Sequence, residues 1–231
     1  MIDQILDSSL NPSLQIPLIL LILTTLEAVL SADNAIALAA IVQGLEDPQL
    51  QNRALNIGLV AAYVLRIILI LTASWVIQYW QFELMGAAYL LWLVFSYFTS
   101  DEDKKHHHHG LRFASLWQAI PFIAVTDLAF SLDSVTTAIA VADDTWLIIV
   151  GGTIGVITLR FLAGLFIRWL DEYTHLEDAG FITVGFVGFR LLLKVLSPEV
   201  VPPQWIMIPV VGLMFLWGFS KRNPVEGSAE E

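Results

Sequence analysis

The sequence predicts an all-α polytopic membrane protein: seven transmembrane helices, arranged as two inverted three-helix repeats plus one extra C-terminal helix. Three observations lead there. The chain is 57% hydrophobic and only 14% charged over 231 residues, whereas soluble domains are near 45–50% apolar with about a quarter of residues charged. Its apolar runs are long enough to cross a bilayer, which takes about 20 residues each. And one acidic stretch occurs twice. Leu26-Glu27-Ala28-Val29-Leu30-Ser31-Ala32-Asp33-Asn34 returns as Thr126-Asp127-Leu128-Ala129-Phe130-Ser131-Leu132-Asp133-Ser134, 100 positions later.

Taken in order, residues 1–15 form a polar lead-in without the basic stretch of a cleavable signal. Pro17 suits a first helical turn, and the first span covers about 18–42. A polar loop, 43–56, leads to a second span at about 57–80, interrupted by Arg66, and a third at about 84–98. Together 1–98 make the first repeat. Residues 99–115 are an acidic, His-rich loop with Asp101, Glu102, Asp103 and His106 to His109. The second repeat, 116–196, holds spans at about 116–142, 146–170 and 179–196, with an acidic loop at 171–178. Pro198, Pro202 and Pro203 break the chain before a seventh span at about 205–219 and a charged tail, 220–231. The repeat extends past the acidic motif. Val64-Leu65-Arg66-Ile67 matches Thr158-Leu159-Arg160-Phe161, and Gly86 matches Gly180. A repeat with an odd number of spans enters the membrane from opposite sides in its two copies, which is the inverted-repeat architecture of many secondary transporters.

Loop charges set the orientation. With the N-terminus outside, the inner segments hold Arg53, Lys104, Lys105, Arg112, Arg168, Lys221 and Arg222, and the outer ones hold Lys194. The C-terminus and the His-rich loop are then cytosolic. Seven of the eight tryptophans fall near span ends, where an amphipathic ring prefers to lie.

Carboxylates in hydrocarbon are expensive and need a functional reason. Glu27 and Asp33 straddle the middle of the first span, as Asp127 and Asp133 do in the fourth. In antiparallel helices all four can reach one depth. Six residues place two side chains about 120° apart on a regular helix, so convergence calls for a break near Ser31 and Ser131. Ser31, Asn34, Ser131 and Ser134 would satisfy the freed backbone, and Thr24, Thr25, Thr126, Thr136 and Thr137 add further oxygens. The donor set is all oxygen, which suits hard ions such as Mn²⁺, Mg²⁺ or Ca²⁺. Four carboxylates, with Arg66 and Arg160 as charge-balancing partners, leave two negative charges, the complement of one divalent cation. Emptied, the site would take up protons, because uncompensated buried charge is costly. This points to metal/proton exchange. The His106, His107, His108 and His109 run reads either as an accessory metal-capture loop or as a solvated one. Gly151-x-x-x-Gly155 reads as close helix packing.

Other classes fit poorly. The chain has no cysteine, so thiolate and iron–sulfur sites are excluded. A net charge of −11 does not suit nucleic acid. No nucleotide-binding loop or protease motif is found, so neither a pump nor an enzyme is expected.

The duplicated motif resembles the TerC family of integral membrane proteins, over about residues 16–220, with the seven spans and the His-rich loop between the halves. That family is grouped with LysE-type exporters. Several members are linked to manganese efflux, others to tellurite resistance and, in plastids, to thylakoid protein assembly. The resemblance implies that Glu27, Asp33, Asn34, Asp127, Asp133 and Ser134 form the metal-binding core, with Mn²⁺ preferred and moved outward. It implies a plasma or thylakoid membrane. The expected partners are a divalent cation, protons and the lipid bilayer, with a homo-oligomer left open. Two alternatives stand beside export of a metal: a membrane-embedded assembly or insertion factor without transport, and a LysE-like exporter of a small organic solute.

Overall fold

The computed structural model describes residues 12–99, 113–142 and 144–223; a few side chains within them, including that of Asp33, lie outside the description. So do His106 to His109. Seven α-helices are present among the described residues: α1 (Pro12–Gln43), α2 (Pro48–Val76), α3 (Trp80–Thr99), α4 (Leu116–Val141), α5 (Thr145–Glu172), α6 (Leu176–Leu196) and α7 (Gln204–Gly218). A 3₁₀ turn at Pro198–Val200 precedes α7. Five helices, α2 to α6, are long and apolar enough to cross a membrane. The apolar stretches Ile16–Thr25 in α1 and Ile206–Gly218 in α7 are shorter.

Several helices run beyond the apolar spans, for local reasons. Pro12 opens α1, and Pro17 lies inside the helix rather than in the turn that starts it. The polar 43–56 loop shrinks to four residues. Asp47 caps α2 by accepting from the Gln49 N–H at 2.8 Å, and Pro48 follows at the first helical position. Proline is pre-set for that place and loses no helical bond there. The acidic loop shrinks as well. Glu177 and Asp178 form the first turn of α6, where the helix dipole favours negative charge.

Packing follows a rule that the chain order does not suggest. The most extensive contacts join α1 to α5 and α2 to α4, followed by α3 to α6, whereas α1 touches α2, and α4 touches α5, only lightly. Each half therefore rests on the other. Exchanging α1, α2, α3 for α4, α5, α6 maps this pattern onto itself. Glycines make the close approaches. A Cβ on Gly58 would meet Ile123 at 2.7 Å, and one on Gly151 would meet the Cβ of Leu23 at 3.3 Å. Gly86 lies against Leu132 and Gly180 against Ile36, each at 2.8 Å from an added Cβ. With no hydrophobic drive between helices in lipid, small residues at such crossings are what let them associate closely. Beyond α7, a bridge between Tyr173 and Arg222 pins the chain to the α5–α6 turn.

Candidate functional site

The buried polar residues fall largely on the two motif helices and on α2. Glu27 is the sixteenth of 32 residues in α1, and Asp127 the twelfth of 26 in α4. Both face Arg66, which is 2% exposed. The Nη1 of Arg66 donates to Glu27 Oε2 at 3.0 Å, and its Nη2 to Asp127 Oδ1 at 3.2 Å. Asp127 is fully buried. One guanidinium from α2 thus joins the two motif helices, and the triad carries a single net negative charge.

Glycines on α5 shape this centre. Gly151 and Gly155 sit one turn apart and receive Leu23 and Glu27, also one turn apart on α1. A Cβ on Gly155 would lie 2.7 Å from Glu27 Oε2. The small-xxx-small pair is close packing, as its spacing suggests, and it also makes room for a carboxylate.

The helices do not break. α1 and α4 run unbroken through Ser31 and Ser131, and no described residue adopts a positive φ. The hydroxyls are satisfied without a break. Ser31 donates to the Glu27 carbonyl at 2.6 Å and Ser131 to that of Asp127 at 2.7 Å. Thr136 and Thr137 do the same to Leu132 and Asp133. Each bonds the carbonyl four residues back within an intact helix, so the expected unwinding is corrected. Ser134 donates to the Ser131 carbonyl at 3.4 Å. Asn34 is buried and keeps a polar contact.

In a regular helix the six-residue spacing splits the acids between faces. Asp133 accordingly turns away from Arg66 and toward α6. The Nη1 of Arg190 donates to Asp133 Oδ2 in a short ion pair, and Lys194 Nζ lies 3.7 Å from Asp133 Oδ1. Lys194 also holds Glu83 of α3 at 2.7 Å. Arg190 Nε reaches the Pro202 carbonyl at 3.3 Å, tying the network to the approach to α7. Among the described residues no three acidic or histidine side chains gather closely enough to hold a metal ion. Glu27, Asp127 and Asp133 form two neighbouring charge clusters instead.

Arg160 takes a different role from the one expected. Its Nε donates to Asn56 Oδ1 at 2.5 Å, and Glu27, Asp127 and Asp133 are compensated by Arg66, Arg190 and Lys194. Lys194, counted as an outer-loop charge, lies inside α6. Three residues were therefore missed: Arg190, Lys194 and Glu83. A signal for one of them existed. The 94-residue offset that pairs Arg66 with Arg160 and Gly86 with Gly180 also pairs Glu83 with Glu177.

A bundle of apolar helices with arginine-bridged acids at its centre defines an integral, multi-pass membrane protein with an ionisable interior. The family is shown by sequence. The model of the integral membrane protein TerC family matches residues 13–224, and the chain belongs to that family. It is 34% identical over 176 residues to the uncharacterised membrane protein YceF of Bacillus subtilis strain 168, covering 73% of this chain and 68% of that one. It is 32% identical to the uncharacterised membrane protein YkoY of the same strain, over 78% of this chain and 60% of the relative. The chloroplastic thylakoid membrane protein TERC of Arabidopsis thaliana is 26% identical, over 73% of this chain and 52% of the relative. The chain thus spans only part of the length of these relatives. No solved structure matches.

Proposed function

We propose that this protein is a secondary transporter that exports a divalent cation, Mn²⁺, in exchange for protons. Glu27, Asp33, Asn34, Asp127, Asp133 and Ser134 supply the ion's oxygen ligands during transit. The observation that carries the reading is the buried Glu27–Arg66–Asp127 triad. Polar groups of this kind inside a membrane protein mark ion pathways. The donor chemistry favours a hard ion.

Charge supports exchange. Counted together, the acids Glu27, Asp33, Glu83, Asp127 and Asp133 and the bases Arg66, Arg190 and Lys194 leave two negative charges. The sum is the one expected from sequence, with Arg190 in the place of Arg160 and the Lys194–Glu83 pair adding nothing. One divalent cation or two protons would close it. Loading requires an arginine to yield a carboxylate, because each described motif acid is held by a base.

Exchangeable packing partners support two inverted three-helix repeats with α7 added, the seven-helix form of the fold. With Arg53, Arg168, Lys221 and Arg222 at one end and Lys194 at the other, the charge balance favours an orientation with the N-terminus outside and the C-terminus in the cytosol of a plasma membrane.

Mn²⁺ flux into proteoliposomes under an imposed pH gradient tests the reading. Wild type is expected to carry gradient-dependent flux that Asp33→Asn/Asp133→Asn abolishes. Well-folded wild-type protein that moves no Mn²⁺ would refute it and favour an assembly factor or another solute.

A further inference from the structure

The two ends of the bundle treat equivalent acids differently. Glu83 and Glu177 stand at matching positions of the repeat, each in the first turn of its helix. Glu83 is locked to Lys194 at 2.7 Å. Glu177 is 8% exposed, beside Asp178, which accepts from Tyr97 at 2.7 Å; no Lys or Arg among the described residues pairs with it. The bases come from α6 alone. The position in α3 that matches Arg190 is Ser96, and α3 contains no Lys or Arg. At one end of the bundle Glu83 is therefore held by a cation carried on α6, whereas Glu177 at the other is buried beside Asp178.

At the Glu83 end the network spans three helices. Asp133 of α4 holds Arg190 and Lys194 of α6, and Lys194 holds Glu83 of α3. Asp133 is 7% exposed, so its charge has few alternatives to these partners. Removing one member of a buried pair leaves the other charge uncompensated, which is strongly destabilising. Something positive must occupy Asp133 at every stage.

We propose that Arg190 is a tethered competitor of the transported cation at Asp133, and that with Lys194 it forms an ionic gate across one mouth of the pathway. The inference rests on the transport reading above and adds a specificity device to it. When a divalent ion takes Asp133, Arg190 is released. Lys194 then keeps Glu83 alone, and the α3–α4–α6 tie opens. When the ion leaves, Arg190 returns and prevents a hydrated cation from re-entering. A monovalent ion has the same charge as Arg190 but lacks its fixed attachment, so it displaces the arginine poorly. The gate thereby favours divalent ions.

The test compares wild type, Arg190→Gln, Arg190→Lys and Lys194→Gln, as full-length purified chains. Mn²⁺ binding in detergent is followed by the loss of its free-ion paramagnetic resonance signal, and Mn²⁺ flux in proteoliposomes. With the competitor removed, Arg190→Gln should bind Mn²⁺ about tenfold more tightly, and its flux should persist without a pH gradient. Arg190→Lys should restore wild-type coupling. Lys194→Gln should shift in the same direction by about threefold, and it carries the test should Arg190→Gln fail to fold. Unchanged or weaker Mn²⁺ binding in folded Arg190→Gln, or in Lys194→Gln where that variant carries the test, with wild-type flux intact, would overturn the gate alone. Absence of both binding and flux in wild type would remove the transport reading and the gate with it.

Discussion

Arg66 and Arg160 occupy matching places in the two halves and end in different surroundings. Arg66 is buried at the centre and holds one acid from each motif helix. Arg160 sits toward the edge against Asn56. A two-fold scaffold with both arginines inside would cancel the charge of Glu27 and Asp127 fully. With one arginine between two carboxylates, a net negative charge remains at the centre. The duplication has kept the framework, the glycines and the acids, and has given the two basic positions separate roles. Symmetry in the packing therefore coexists with asymmetry in the charge.

The largest expected effect falls on Arg66. Arg66→Ala strands two buried carboxylates, at a cost of about 3–5 kcal/mol, which is a large share of the 5–15 kcal/mol that holds a typical domain together. The thermal midpoint in detergent should drop sharply. Adding Glu27→Gln and Asp127→Asn should recover much of that loss without restoring Mn²⁺ flux. A single Arg66→Ala with an unchanged midpoint would mean that the triad is not a structural hub.

Gly155 and Gly151 offer the next contrast. Both are close-packed, but only Gly155 faces a carboxylate oxygen. Gly155→Ala should reduce flux by at least tenfold through displacement of Glu27. Gly151→Ala, which meets only the Leu23 side chain, should cost less flux. Equal losses would show that tight packing alone matters at this crossing.

At the two ends of the bundle, Glu177→Gln should raise the half-saturating Mn²⁺ concentration by about threefold, because it removes a buried acid that no described Lys or Arg neutralises. Steady-state flux at several Mn²⁺ concentrations would read this. An unchanged value would assign Glu177 to packing beneath Phe181 and Tyr97, whose rings stack at 3.8 Å. The smallest effect is reserved for Arg160. Arg160→Gln should leave stability within about 0.5 kcal/mol, as peripheral substitutions usually do, and flux near wild type. A loss as deep as that of Arg66→Ala would restore it to the charge centre.

Much of this was legible in the residues. The helices followed from apolar runs, and the matching positions of the two halves from the Glu27/Asp127 and Gly86/Gly180 pairs. Two features were hidden. Spans were drawn at the limit of hydrophobicity, whereas α2 and α6 begin earlier because Asp47 and the Glu177-Asp178 turn satisfy helix ends in their own way. The partner of each acid could not be read from spacing either. Ser31 and Ser131 suggested a broken helix, but each hydroxyl bonds its own i−4 carbonyl within an intact one. Once the helix is intact, Asp133 must turn from α2 to α6, and Arg190 rather than Arg160 becomes its counter-charge. That choice depends on which helix lies alongside, and only the packing supplies it.

The proposed exchange of one divalent cation for two protons at the buried site would move no net charge. Its most direct test is Mn²⁺ flux in proteoliposomes, with the pH gradient and the membrane voltage set independently. Flux should follow the pH gradient and stay constant as the voltage is clamped from negative to positive. Flux that follows voltage and ignores the pH gradient would contradict the account.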